Sequence, residues 1–579
     1  MNNTTNLSSF IWSVADLLRG SYRQSDYGKV ILPFTVLRRL DCILEPTKEQ
    51  VLVEFKKRTA ESVDPAPFLT RIAKQSFYNS SPLDLNKSLA QPTQIRSNLL
   101  SYINGFSSNV GDIFEKYEFD DQIDKLEEAD LLYLVAKKFT EIDLHPDQVS
   151  NSDMGLIFEE LIRKFAELSN ETAGEHFTPR EVIRLMVDLL FHGDNEALVK
   201  PGVIRTLYDP TAGTGGMLSI AEEYLTGANG LNPDATLIVS GQELNPESYA
   251  ICKGDMLIKG QDVSNIKFGD TLKNDGHAGA KFDYGLSNPP FGVEWKKSEK
   301  EVKDEYERLG FAGRFGPGLP RISDGSLLFL LHLISKMREP EKGGSRIAIV
   351  LNGSPLFTGG AGSGESEIRK WIIEQDLLET IIGLPTDMFY NTGIATYIWV
   401  LSNHKVKERK GKIQLINAIE FFQKMRKSLG SKRKELGEND INRIIKLYGE
   451  LEENECSKIF DAQEFGYTTI TVERPLRDEV GDMVISSKGK SKGKPQADSN
   501  LRDTENVPLK EDIEEYFKCE VLPHASDAWI DHEKNKVGYE IPFTRNFYVF
   551  NPPRGLSEID IELKQTTDKI LEMIKGLSG

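Results

Sequence analysis

The tripeptide Asn-Pro-Pro occurs twice in this chain, in SNPPFG at 287–292 and in FNPPRG at 550–555. The first copy has the makings of an amine-activating site. An exocyclic amine conjugated to an aromatic base is a poor nucleophile because its lone pair is drawn into the ring. Two fixed acceptors, the side-chain oxygen of Asn288 and the backbone carbonyl of Pro289, would take its two N–H bonds and favour a tetrahedral nitrogen. Proline fixes φ and removes a competing donor, so Pro289 and Pro290 hold those acceptors rigid. Phe291 offers an apolar face on which an extruded base stacks. In the second copy Arg554 stands where the ring should be, and Asn551-Pro552-Pro553 reads as a turn that starts the last helix.

A second constellation precedes it. YDPTAGTGGM, at 208–217, follows an apolar run and leads into MLSIAEEYL. Gly213, Gly215 and Gly216 let a ligand approach the backbone, and a helix N-terminus offers free N–H groups. A plain tight strand-to-helix turn would use the same residues. No Gly-x4-Gly-Lys-Ser/Thr occurs, which excludes a phosphate-binding P-loop, and Leu218 replaces the third glycine of a dinucleotide fingerprint. The next apolar run ends in GQELN, which places Glu243 where a carboxylate accepts both ribose hydroxyls. FGDTL adds Asp270, suited to an adenine amino group. Asp209, the Gly-x-Gly turn and a ribose carboxylate describe a nucleoside site without a pyrophosphate. S-adenosylmethionine is a cofactor of that shape.

These residues need a scaffold to converge. VIRTLYD, ATLIVSGQE, FDYGLSN, SRIAIVL, LLETIIGL and ATYIWVL alternate with helical stretches, which predicts a mainly parallel sheet covered on both faces. With the short strand before Asp270 counted, Asn288 then falls at the carboxyl end of the fourth strand, the edge at which open α/β sheets bind ligands. Before this region Phe10, Ile11, Val14, Leu17 and Leu18 repeat at helical spacing, as do Leu32, Val36, Leu37 and Leu40, which predicts a helical domain. Beyond about 405 the chain is charged and reads as helical, with SSKGKSKGKPQADSN (486–500) as a flexible linker. Leu556, Ile559, Leu563, Ile570, Ile574 and Leu577 form an apolar stripe on a last helix, fit either to dock on another helix or to pack on its own chain.

The whole composition sets limits. The chain has 579 residues, 39% hydrophobic and 28% charged, with a net charge of −18. Global attraction to nucleic acid is excluded, so any DNA contact must come from local basic patches or from a partner. KMRKSLGSKRK (424–434) is one such patch, and a solvated helix face is the plainer reading of it. Four cysteines without CxxC spacing read as reduced thiols rather than a disulfide framework or a metal site. No apolar run is long enough for a membrane span and the N-terminus lacks a signal-peptide pattern, so a cytoplasmic location is expected.

SVADLLRGSYRQSDYGKVILPFTVLRRL, GEHFTPREVIRLMVDLL, DPTAGTGG, SNPPFG, LPTDMFYNTGIATYIWVLS, FFQKMRKSLGSKR and GYEIPFTRNFYVFNPP occur in that order. The ordered set resembles the N6-adenine DNA methyltransferases of the γ order, and in particular the modification subunits of type I restriction–modification systems. The resemblance implies an α/β, Rossmann-like methyltransferase domain dependent on S-adenosylmethionine at 149–425, after an N-terminal helical domain at 1–148. A charged helical region and linker would fill 426–505, and a helical tail for subunit assembly 506–579. It implies a cofactor site of Glu175, His176, Phe177, Thr178, Pro179, Arg180, Asp209, Thr211, Ala212, Gly213, Thr214, Gly215, Gly216, Glu243 and Asp270. His176 stands where the family commonly has an aromatic residue. Asn288, Pro289, Pro290 and Phe291 would be catalytic, with Phe389 or Tyr390 as the second wall of the base pocket. The expected partners are double-stranded DNA, a specificity subunit shared by two modification subunits, and a restriction subunit. Methylation of a protein glutamine or an RNA base uses a similar tetrapeptide and is the competing enzymatic reading. A non-catalytic scaffold is the third.

Overall fold

The computed structural model describes residues 10, 12–169, 178–227, 230–390, 392–429, 431–486, 493–550 and 554–577. The chain divides into two compact units, 1–541 and 542–579. The first unit begins with helices. In α1 (Tyr27–Leu44) apolar residues point to every side, so the helix is buried all round, with Val36, Leu37 and Leu40 at 0% exposure. Phe34 of α1 packs against Phe119 and Phe139 at centroid separations of 4.9 and 5.2 Å. Arg39, on the same helix, is fully buried, and its two terminal nitrogens find partners while Nε has none among the described residues. Its guanidinium donates to the Val149 carbonyl at 2.8 Å and to Asn151 Oδ1 at 2.7 Å. That contact pins the start of α2 (Asn151–Ser169) to the helical layer. α3 (Arg180–His192) follows, presenting Val182, Ile183, Leu185, Met186 and Leu189 to the core.

The central sheet is built from β1 (Ile204–Asp209), β2 (Thr236–Glu243), β3 (Ile266–Phe268), β4 (Tyr284–Ser287), β5 (Arg346–Asn352), β6 (Leu378–Gly383), β7 (Thr396–Ser402) and β8 (Lys412–Asn417). After the separate pair β9 (Gln423–Leu429) and β10 (Lys432–Glu435), β11 (Ser457–Asp461) rejoins it. The nine strands lie in the order β11-β8-β6-β7-β5-β4-β1-β2-β3. β1 through β5 are parallel, whereas β7 runs antiparallel to both neighbours. Every residue of β6 and β7 is buried, as expected of strands covered on both faces. α4 (Gly216–Thr226) packs on β1 and β2, and α5 (Pro246–Ile258) on β2 and β3. The sequence-predicted strands match β1, β2, β4, β5, β6 and β7.

Downstream of 405 the element types differ from expectation. KMRKSLGSKRK is no helix face but the hairpin β9–β10, anchored by buried Phe421 and Leu436 at its two ends. Its backbone finds partners in the 387–390 segment, and such tertiary pairing overrides weak helical propensity. The expected charged helix exists only as α6 (Glu438–Glu450). Residues 506–541 are not a helical tail. They complete a small sheet in which β12 (Gly466–Glu473) pairs with β13 (Asp503–Pro508), β14 (Trp529–Ile530) and β15 (Lys536–Tyr539). The β-branched run TTITV of β12 carries that preference. Residues 487–492 of the expected linker lie outside the described residues. Its flanks pair through isolated bridges, Ile485 with Pro495 and Pro475 with Ala497, so 493–500 follows the small sheet instead of wandering. In the second unit, α7 (Leu556–Leu577) is the expected last helix. Asn551, Pro552 and Pro553 lie outside the described residues.

Candidate active site

β1 ends at Asp209, and the chain then turns sharply into α4. The turn requires glycine at 215, where φ is +82° and a Cβ would come within 2.6 Å of Cys252 Sγ. Asp209 Oδ1 accepts the Thr211 N–H at 2.9 Å and caps the turn from below. Thr211 Oγ1 reaches Ser287 Oγ at 2.7 Å, which joins the turn to the residue before Asn288. Glu243 is buried at the end of β2 and takes backbone donors with both oxygens. Gly213 N–H donates to Oε2 at 2.8 Å and Asn245 N–H to Oε1 at 2.7 Å. Burial pushes the Asp209 carboxyl up to about 7, with the charge of Glu243 adding to the shift against the Thr211 hydrogen bond.

Asn288 projects from the end of β4. Its Nδ2 donates to Thr178 Oγ1 at 2.9 Å, which fixes the amide orientation and aims Oδ1 away from that partner. Oδ1 is buried and has no hydrogen-bond partner among the described residues. A buried acceptor left unpaired costs roughly 1–3 kcal/mol, so an arriving donor gains what the free protein forgoes. Phe291, half-buried, meets the buried ring of Phe389 edge to face, with centroids 5.7 Å apart and planes at 86°. The Tyr390 ring lies 5.9 Å from the Lys432 ammonium.

A cavity of about 750 Å³ opens beside the turn, lined by Thr178, Arg180, Asp209, Thr211, Ala212, Gly213, Thr214, Gly216 and Asn288. Separate segments of the sequence expectation thus meet at one place. Pro179 is buried and starts α3, and Gly215 shapes the turn from within. Glu243 and Asp270 do not line this cavity. Asp270 is occupied by the Leu272 N–H at 2.9 Å and the Ser298 hydroxyl at 2.7 Å. Pro289, Pro290, Phe291, Phe389 and Tyr390 also lie off it. Glu175, His176 and Phe177 fall outside the described residues. The far end of the cavity is walled by residues that sequence reasoning passed over, among them Asn151, Gly155, Asp255, Lys259 and Gln261. Lys259 bonds Asp255 Oδ2 at 2.5 Å and Ser219 Oγ at 2.8 Å. These groups come from α2, α5 and the loop after it, with no shared spacing that marks them in the sequence.

Residues 149–469 match the N-6 DNA methylase family, and residues 7–139 match the HsdM N-terminal domain. Among curated proteins, the MjaIX type I restriction enzyme methylase subunit of Methanocaldococcus jannaschii is 28% identical over 471 residues, 78% of each chain. The EcoKI methylase subunit of Escherichia coli is 28% identical over 270 residues, covering 43% of this chain and 44% of that one. Among solved structures, the type I restriction–modification methyltransferase subunit of Streptococcus thermophilus superposes with a TM-score of 0.62 at 25% identity, covering 80% of this chain and 97% of that one. A chain from a study of type I complex assembly covers all of this chain with a TM-score of 0.52 at 18% identity, a likeness of fold. Among the described residues no helix is long and apolar enough to cross a membrane. With more than half of its length in the family match, the chain belongs to the N-6 DNA methylase family and is an adenine-specific DNA methyltransferase, the modification subunit of a type I restriction–modification system.

Proposed function

We propose that the site at Asn288 moves the methyl group of S-adenosylmethionine to the N6 amine of an adenine extruded from double-stranded DNA. The observation that carries this reading is the buried, unpartnered Oδ1 of Asn288 beside the Phe291–Phe389 ring pair. Oδ1 accepts one N–H of the adenine amine and the Pro289 carbonyl the other, which draws the nitrogen lone pair out of conjugation. Thr178 holds the amide so that its oxygen, not its nitrogen, meets the amine. Phe291 stacks on the flipped base, and Phe389 buttresses the ring from its edge.

The cofactor fits the residues present. The turn at 211–216 offers backbone N–H groups and close approach, and Asp209 at its foot is a carboxyl that a neighbouring cation would ionise. When bound, S-adenosylmethionine supplies a sulfonium-activated methyl group. Thr178, Arg180 and Asp209 line the space for its amino-acid end, and Thr211 to Gly216 cradle it. Glu243 organises the turn through Gly213 and receives the ribose on ligand binding, when Asp270 turns from its present partners to the adenine. Glu175, His176 and Phe177 complete the closing segment. The specificity subunit supplies target choice to two modification subunits, the restriction subunit joins that complex, and the work takes place in the cytoplasm. Domain limits follow the same reading, 1–148 for the helical domain and 149 onward for the catalytic one.

The test is transfer of labelled methyl from cofactor to DNA by this chain with its specificity subunit, the product identified as N6-methyladenine. Asn288→Ala removes an acceptor that matters most at the transition state, so turnover should fall on the order of a hundredfold or more while cofactor affinity changes little. Wild-type turnover by Asn288→Ala would refute the mechanism.

A further inference from the structure

The protein is acidic overall, with a net charge of −18, yet one element is locally basic. In the hairpin β9–β10, Lys424, Arg426, Lys427 and Arg433 are exposed, and none of them pairs with an acidic group among the described residues. Lys424 stands directly across the ladder from Lys434, a like-charge pair that weakens a two-stranded ribbon. Lys434 is partly accommodated, its ammonium 4.1 Å over the Phe422 ring. A marginal hairpin that concentrates unpaired cations is poorly built for stability and well built to meet a polyanion.

The hairpin is also rigidly tied to the candidate base pocket. Ser431 N–H donates to the Tyr390 carbonyl at 2.8 Å and Arg433 N–H to the Asp387 carbonyl at 2.9 Å. The buried ammonium of Lys432 bonds the Met388 carbonyl at 3.2 Å and forms an ion pair with Glu181, in the first turn of α3. Those three anchors bracket Phe389, whose ring meets Phe291. β9 has seven residues, and at about 3.3 Å per residue a strand of that length runs about 20 Å. Within it Lys424, Arg426 and Lys427 span three residue steps, about 10 Å, with Lys424 and Arg426 on one face and Lys427 on the other. A DNA strand rises about 3.4 Å per nucleotide, so these cations match about two or three consecutive phosphates.

We infer that the hairpin at 423–435 is a backbone clamp that grips the phosphates flanking the extruded adenine. The inference rests on the DNA-methylation reading of the site. Lys424, Arg426, Lys427 and Arg433 neutralise phosphates, while Lys432 serves as a positioning residue that fixes the clamp to the Phe389 segment. Such phosphate pairing carries no base information, so the clamp contributes register and affinity equally on any sequence.

The experiment uses the complex with the specificity subunit and compares wild type with a chain carrying Lys424→Ala, Arg426→Ala, Lys427→Ala and Arg433→Ala together. The plot of log K against log salt should become shallower by about 0.9 for each phosphate that is no longer neutralised. Cognate and non-cognate duplexes should lose affinity by the same factor, and cofactor affinity and melting temperature should stay at wild-type values. A Lys424→Arg, Lys427→Arg chain should keep the wild-type slope. With DNA saturating, 2-aminopurine at the target position should brighten less with the quadruple variant. An unchanged salt slope overturns the clamp, and an unchanged fluorescence gain places the hairpin away from the target base, which overturns it as well. Failure of the methylation reading is separately visible, because it appears as a wild-type complex that leaves adenine unmodified while binding is read without turnover.

Discussion

Asp209 sits almost wholly buried, 1% exposed, at the foot of the glycine-rich turn with its carboxyl pushed up to about 7 from an ordinary value of 3.8. The folded protein therefore keeps a proton that the unfolded chain loses between about pH 4 and 7. This group makes stability fall as pH rises through that window. A cationic ligand favours the ionised form, so cofactor affinity should rise with pH through about 7 and level off above it. From pH 6 to pH 8 the gain should be about tenfold, one proton released over one effective unit. Calorimetry at the two values checks this, and Asp209→Asn should flatten the profile. At the base pocket, Phe291→Ala should lower DNA methylation by weakening stacking, where each base–aromatic stack is worth about 1–3 kcal/mol. Phe291→Tyr keeps the π face and should stay within a few-fold of wild type in the same assay.

The strand-to-helix turn and the hairpin anchor are properties of elements rather than of single side chains. Gly215→Ala places a Cβ in a left-handed conformation, 2.6 Å from Cys252 Sγ and 3.4 Å from Cys252 Cβ on α5. Strained backbone of this kind costs about 1–3 kcal/mol before the clash is counted. The variant should melt earlier and lose cofactor binding together, as read by thermal unfolding with and without cofactor. Glu243→Ala acts on the same turn, since it strips the acceptor from the Gly213 and Asn245 N–H groups. Lys432→Met breaks a nearly buried ion pair and leaves Glu181, 18% exposed, alone at the start of α3. Because Glu181 keeps some water, the destabilisation should sit near the lower end of the range for broken buried pairs, about 3 kcal/mol in denaturant unfolding.

At the scale of the molecule, the last helix carries an exposed apolar stripe on a strongly acidic chain. Leu556, Leu563, Ile570 and Met573 on α7 are 80, 64, 51 and 72% exposed, and exposed apolar stripes of this kind mark interaction surfaces. Deleting residues 556–579 should prevent assembly with the specificity subunit while leaving cofactor affinity intact, as size-exclusion chromatography and calorimetry would show. Normal complex formation by the truncated chain would instead assign the stripe to a role within the chain. The isolated chain, at −18, should bind DNA weakly and without sequence preference, and a gel shift showing tight, selective binding would contradict this.

The strand-end position of Asn288, the glycine-rich turn and six strands of the sheet were legible in the sequence because each rests on local rules. Strand runs buried on both faces are continuously apolar, and turns need glycine at fixed positions. The ordered motifs likewise pointed to the family. The tertiary structure decided what depends on distant residues meeting. KMRKSLGSKRK has no apolar period to declare itself a hairpin, and becomes one because the 387–390 segment offers it backbone partners. β12 pairs with β13, β14 and β15, all well downstream of it, and that pairing is an outcome of closure that no single stretch carries. Glu243 occupies the strand end that its spacing assigns it, yet only the fold shows its two oxygens engaged by the Gly213 and Asn245 N–H groups. Asn151, Asp255 and Lys259 reach the cavity from separate segments, and Phe389 reaches Phe291 across some 98 residues of chain. Sequence determines which groups exist and what each can do locally, whereas packing decides which of them share a site.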